Sequence, residues 1–77
     1  MLGRNVRRLR KEHGWSQERL AAEAGEIRQA LISQMETGQA NPTFDTLEYV
    51  AAALGVRVYD LLRPDLRQAR PPRIRAD

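Results

Sequence analysis

The 77-residue chain has no cysteine. Without thiols it has neither a disulfide framework nor a thiolate zinc site, and a reducing compartment is expected. His13 is its one histidine, so no metal and no cofactor is expected. No apolar run approaches the roughly 20 residues of a membrane span. The basic start MLGRNVRRLRKEHG lacks the apolar segment of a secretory signal. No stretch alternates apolar and polar residues with a period of two, so strands are not expected. There is no Ser–His–Asp set, no glycine-rich phosphate loop and no paired-carboxylate cleft, which argues against an enzyme. These absences leave a cytoplasmic protein of one small domain, with no membrane partner and no internal repeat.

The formal charge is +3, and it is distributed unevenly. Residues 1–13 carry Arg4, Arg7, Arg8, Arg10 and Lys11 against Glu12. Residues 14–62 are acidic, with seven carboxylates against Arg19, Arg28 and Arg57. Residues 63–77 are basic again. A basic balance points to a polyanion partner, but an acidic middle weakens the inference.

Alanine, leucine, arginine, glutamate and glutamine dominate, all good helix formers. Five short helices are expected. The first spans roughly 3–13, with Leu2, Val6 and Leu9 at helical spacing and Gly14 as its stop. Ser16 caps the second, Glu18 complements its dipole, and Gly25 ends it; Leu20, Ala21 and Ala24 face inward. The third covers roughly 28–36 and stops before Gly38. Thr43 caps the fourth, whose Leu47, Val50, Ala51 and Leu54 face inward up to Gly55. The fifth, about 58–63, carries Tyr59, Leu61 and Leu62. The fold class is therefore all-α, a compact five-helix bundle. Residues 1–63 form the domain, and 64–77, PDLRQARPPRIRAD, a flexible basic tail too poor in apolar surface to fold. That tail reads as a solvated end, a phosphate-tracking arm or a partner-binding segment.

The second and third helices have the outline of a helix-turn-helix. On the third, Leu31, Ile32 and Met35 cluster on one side with Ile27 just before them. Gln29, Ala30 and Ser33 point the other way, Thr37 continues that row, and Gln34 lies at its edge. Two amides, a hydroxyl and a methyl, with no carboxylate, suit base edges in a major groove. The same residues also suit an ordinary solvated face, and taken alone this helix fits the plainer reading better.

The wider pattern shifts the balance. VRRLRKEHGWSQERLAAEAG, ISQMETG and NPTFDTLEYVAAALGV, in this order and spacing, resemble the lambda-repressor-like (phage Cro and XRE type) helix-turn-helix domains over about residues 4–62. The resemblance implies a sequence-specific transcriptional regulator that places its third helix in the major groove of double-stranded DNA. It assigns Gln29, Ala30, Ser33 and Gln34 as base readers. It assigns Ser16, Gln17, Gln39, Asn41 and Thr43 as phosphate contacts, in keeping with the anion affinity of a helix N-terminus. It pairs Arg10 with Glu36 as a structural ion pair. It also implies a homodimer on a pseudo-palindromic operator, its half-sites about one helical turn apart. The apolar surface available for that is Val56, Val58, Tyr59 and Leu62.

Two features depart from the family pattern. Arg28 stands where a Ser or Thr cap is usual, placed instead for a phosphate or a guanine edge. Glu26 lengthens the turn by one residue. The reading face is also poor in positive charge, so the first helix and the tail are the expected sources of phosphate neutralisation. Trp15 is expected to pack across the first two helices, and Tyr49 and Tyr59 to lie in the core or at a dimer edge. The rival reading is a protein-interaction module such as an antitoxin, whose main partner is a protein; a restriction–modification controller is a third, within DNA-binding regulation.

Overall fold

The structure, a computed structural model, describes residues 1–64. The expected tail beyond Pro64 lies outside the described residues. Five helices follow one another: α1 (Leu2–Glu12), α2 (Gln17–Glu23), α3 (Gln29–Glu36), α4 (Phe44–Leu54) and α5 (Val58–Leu62).

Local chemistry sets most of the boundaries. Ser16 Oγ accepts the Arg19 N–H at 3.0 Å, and Thr43 Oγ1 accepts the Thr46 N–H at 3.1 Å, so both expected caps are in place. Asp60 accepts the Arg57 N–H at 3.0 Å and closes the start of α5. The end of α4 is a paired turn: the Val56 N–H reaches the Ala51 carbonyl, and the Gly55 N–H that of Ala52. α3 begins one residue later than its periodicity indicates, because Arg28 is extended (φ −74°, ψ 140°) and supplies no side-chain cap.

The core is a continuous cluster of Val6, Leu20, Ala21, Ala24, Ile32, Met35, Leu47, Val50, Ala51, Leu54 and Leu61. It takes side chains from every helix, and removing each large one from water contributes about 1.5–3 kcal/mol. The inward faces expected for α2 and α4 are all there. Leu2, Leu9, Ile27 and Leu31 pack around the edge. In α5 only Leu61 is buried, and Tyr59 and Leu62 stay exposed. Tyr49 is also exposed, so it is not a core residue.

Two of the contacts that hold α1 against the rest involve its first turn. Asn5 is buried, and its amide donates to the carbonyls of Leu61 (2.9 Å), Asp60 (3.5 Å) and Arg63, satisfying the C-terminal end of α5. Gly3 lies directly on the end of α3. A Cβ at Gly3 would stand 2.5 Å from the Met35 carbonyl oxygen and 2.6 Å from that of Glu36. Both neighbours are backbone and cannot swing away. Gly3→Ala therefore separates α1 from α3 and lowers stability by about 1–3 kcal/mol, as overpacking does. A urea titration checks this; an unchanged midpoint would mean that α1 slides at no cost.

Candidate nucleic-acid interface

The angle of α3 depends on a buried ion pair. Arg10 Nε donates to Glu36 Oε2 at 2.6 Å, and Nη2 to Oε1 at 3.0 Å, a bidentate pair. Arg10 Nη1 also donates to the Trp15 carbonyl at 2.8 Å, tying the α1–α2 loop to the same guanidinium. Gln17, at the start of α2, donates to Glu36 Oε1 at 3.0 Å. One carboxylate thus joins α1, α2 and α3. Burial pushes the Glu36 carboxyl up; the hydrogen bonds from Arg10 and Gln17 and the charges of Arg10 and Arg7 outweigh it and hold the carboxyl below its ordinary value. The hydrogen bond to Glu36 raises Arg10 above its own ordinary value, against the effect of burial.

With Ile32 and Met35 anchored in the core, the opposite side of α3 faces out. Gln29, Ala30 and Gln34 are exposed and Ser33 is half-buried on one polar face. Thr37 follows the helix, and its hydroxyl turns back to the Ser33 carbonyl at 3.1 Å. Arg28 is exposed at the entry to α3.

The candidate phosphate contacts differ in what they have left to offer. Ser16 accepts a backbone N–H and keeps its hydroxyl proton to donate. Thr43 Oγ1 donates to Thr46 Oγ1 at 3.1 Å while capping α4, which leaves its main-chain N–H for an anion. One amide proton of Gln17 is used by Glu36, and the second is available. Gln39 and Asn41 are exposed in the loop after α3. Trp15 does pack between elements: His13 stacks on its ring at 4.5 Å, and the Arg19 guanidinium lies 5.3 Å over it. His13 Nε2 also hydrogen-bonds the Leu54 carbonyl at 3.0 Å, joining α1 to α4.

The turn between α2 and α3 has an unusual backbone at Glu26, where an extra residue is expected. Gly25 (φ 92°) and Glu26 (φ 61°) are both left-handed. The Glu26 N–H reaches the Ala22 carbonyl, and the Ile27 N–H that of Ala21, one residue further than the end of α4 needs. Glycine is free to adopt such a conformation, whereas a glutamate is strained by about 1–2 kcal/mol. Glu26→Gly therefore raises stability by about 0.5–1 kcal/mol after allowing for the greater freedom of glycine in the unfolded chain. Thermal melts of the variant check it, and an unchanged or lower midpoint would show that the turn is not strained.

A family model described as helix-turn-helix matches residues 6–61. The chain belongs to the lambda-repressor-like helix-turn-helix family. This helix-turn-helix protein is 42% identical over 64 residues to the uncharacterized HTH-type transcriptional regulator y4dJ of Sinorhizobium fredii, covering 83% of this chain and 82% of that one. It is 40% identical over 62 residues to the HTH-type transcriptional regulator SinR of Bacillus subtilis, 80% of this chain but 56% of SinR. SinR in complex with DNA superposes with a TM-score of 0.75 and 39% identity, over 82% of this chain and 100% of that chain. The SinR protein/SinI protein complex superposes at 0.79 and 33% identity, over 92% and 69%. The restriction–modification controller C.AhdI of Aeromonas hydrophila superposes at 0.75 and 31% identity, over 79% and 91%. The helix-turn-helix protein thus spans little more than half of SinR and most of y4dJ.

Three residues that the sequence reading missed shape this interface. Gly3 and Asn5 position α1, and Phe44 adds an exposed ring beside Tyr59 on a shallow groove between α4 and α5. Val56, Val58 and Tyr59 line that groove; Leu62 is exposed outside its lining. Helical spacing places Phe44 one turn from Glu48, a signal that marks a face without saying it is apolar. Among the described residues no helix is long and apolar enough to cross a membrane.

Proposed function

We propose that this DNA-binding regulator of the XRE type places α3 in the major groove of double-stranded DNA and reads sequence with Gln29, Ala30, Ser33 and Gln34. The observation that carries this reading is the polar face of α3: carboxylate-free and outward, on a helix whose other face is locked into the core and whose C-terminus is pinned by Arg10. Gln29 and Gln34 offer amides to adenine N6 and N7, Ser33 a donor or acceptor, and Ala30 a methyl to thymine. Ser16, Gln17, Arg28, Gln39, Asn41 and Thr43 hold the flanking phosphates. Their contacts set register and carry no sequence information. The protein acts in the cytoplasm, without catalysis and without a cofactor.

It works as a homodimer joined through the α4–α5 groove with Val56, Val58, Tyr59 and Leu62, presenting two α3 helices to half-sites about 34 Å apart. Exposed Phe44, Tyr59 and Leu62 give that surface its apolar character. Sedimentation showing only monomer at high micromolar concentration would remove the dimer from this reading. Selection from a pool of random duplexes tests the reading as a whole, and enrichment of a two-fold-related sequence is the expected result. A pool that enriches nothing would favour the protein-interaction reading, which the SinR–SinI complex and the same apolar groove support.

A further inference from the structure

The groove between α4 and α5 has two walls. Phe44, Glu48 and Ala52 stand on the α4 wall, and Val56, Arg57 and Tyr59 on the α5 wall. Phe44 and Tyr59 are exposed rings, so the groove offers apolar surface for burial. The charges around it are of two kinds. Asp60 accepts the Arg57 N–H and lies 3.8 Å from Arg63, whose guanidinium lies over the Tyr59 ring. Those groups are engaged within the chain. Glu48 and Arg57 are exposed on opposite walls, and neither side chain forms an ion pair among the described residues.

We propose that a second copy of this chain occupies the groove, and that Glu48 of each protomer pairs with Arg57 of the other. The inference rests on the reading of the protein as a homodimer through this groove and adds the contact that orients the two copies.

Symmetry carries the argument. In a two-fold contact the same surface meets itself, so every pair between copies occurs twice. A two-fold axis running along the groove sets the α4 wall of one copy against the α5 wall of the other. One anion and one cation on opposite walls then meet as two attractive pairs. A two-fold axis across the groove would instead set Glu48 against Glu48 and Arg57 against Arg57. Like charges juxtaposed in this way are costly, so the same two residues favour one orientation and reject the other. The apolar side chains supply the burial, and the charges supply the orientation. That orientation matters for DNA, because it fixes the distance between the two α3 helices and hence the spacing of the half-sites.

The test is sedimentation up to high micromolar concentration at low salt. Wild type, Glu48→Arg, Arg57→Glu, an equimolar mixture of these two variants, and the double variant are compared. The wild type dimerises. Each single reversal weakens its own dimer by at least about tenfold, because two like-charged pairs replace two opposite ones. The mixture dimerises again, since one variant then carries both cations and the other both anions. The double variant, with its charges exchanged between the walls, also recovers. Thermal melts show that the single variants are folded, and recovery in the mixture requires both to be. Single reversals that dimerise as tightly as the wild type overturn the ion pairs and leave the dimer reading standing. Loss in both single variants with no recovery in the mixture overturns them too, since the two charges then do not meet. A wild type that stays monomeric removes the dimer reading, and the pairs with it.

Discussion

Arg10→Ala lowers the stability of the fold by about 3–5 kcal/mol, the usual cost of removing one partner from a buried ion pair. The side chains of the pair are 10% and 4% exposed, and the substitution leaves the Glu36 carboxylate buried with Gln17 as its remaining donor. It also frees the Trp15 carbonyl, so the α1–α2 loop loosens at the same time. A chain of this length has few kcal/mol to lose. Urea titration in neutral buffer checks the size, and a loss below about 1 kcal/mol would contradict it. Replacing both residues with apolar ones of similar volume costs far less, because no charge is then stranded.

The same pair makes stability depend on pH. The Glu36 carboxyl is held below its ordinary value of 4.5 in the folded protein. A depressed carboxyl contributes stability that is fully present above its unfolded value and is lost as pH falls through 4.5 towards the folded one. The difference between wild type and Arg10→Ala is therefore full at neutral pH and shrinks in acid below about 4.5. A difference that stays constant across that window would mean that the pair is not what the substitution disrupts.

Gln29→Ala and Gln34→Ala each weaken binding to the selected DNA by about 1–3 kcal/mol while leaving binding to random duplex nearly unchanged. The separation follows from what each class of contact senses. Phosphates are the same in every duplex, whereas an amide paired to one base edge is lost when that base changes. Neither glutamine is buried, so neither change should unfold the protein. Measurements belong at one fixed salt concentration, because the electrostatic part of the affinity moves steeply with salt. The two residues are five apart on α3, so their effects should add if each reads its own base.

What the sequence revealed about this fold was what depends on neighbouring residues. Ser16 and Thr43 cap helices because the N–H each accepts lies three residues away, and the inward faces of α2 and α4 follow from spacing alone. Arg10 and Glu36 are 26 residues apart, and they were placed together by family resemblance rather than by periodicity. Contacts without such a guide were missed. Asn5 looks like any polar residue on a surface helix, yet it bonds carbonyls up to 58 positions away. Gly3 looks like a weak helix former, and only the approach of α3 explains it. Glu26 stands out in the sequence as an expected departure in the turn, but its left-handed backbone does not, because a glutamate gives no sign of that conformation. Ala21 and Ala24, expected to face inward, are buried, while Ala22 between them is exposed.

Whether the outward face of α3 reads sequence is settled most directly by one competition. Wild type and the Gln29→Ala/Gln34→Ala double variant are titrated against the selected duplex and a mixed-sequence duplex in the same buffer. The account predicts that the double variant keeps its affinity for mixed sequence and loses most of its preference for the selected one. Equal losses on both duplexes, or an undiminished preference, would contradict it.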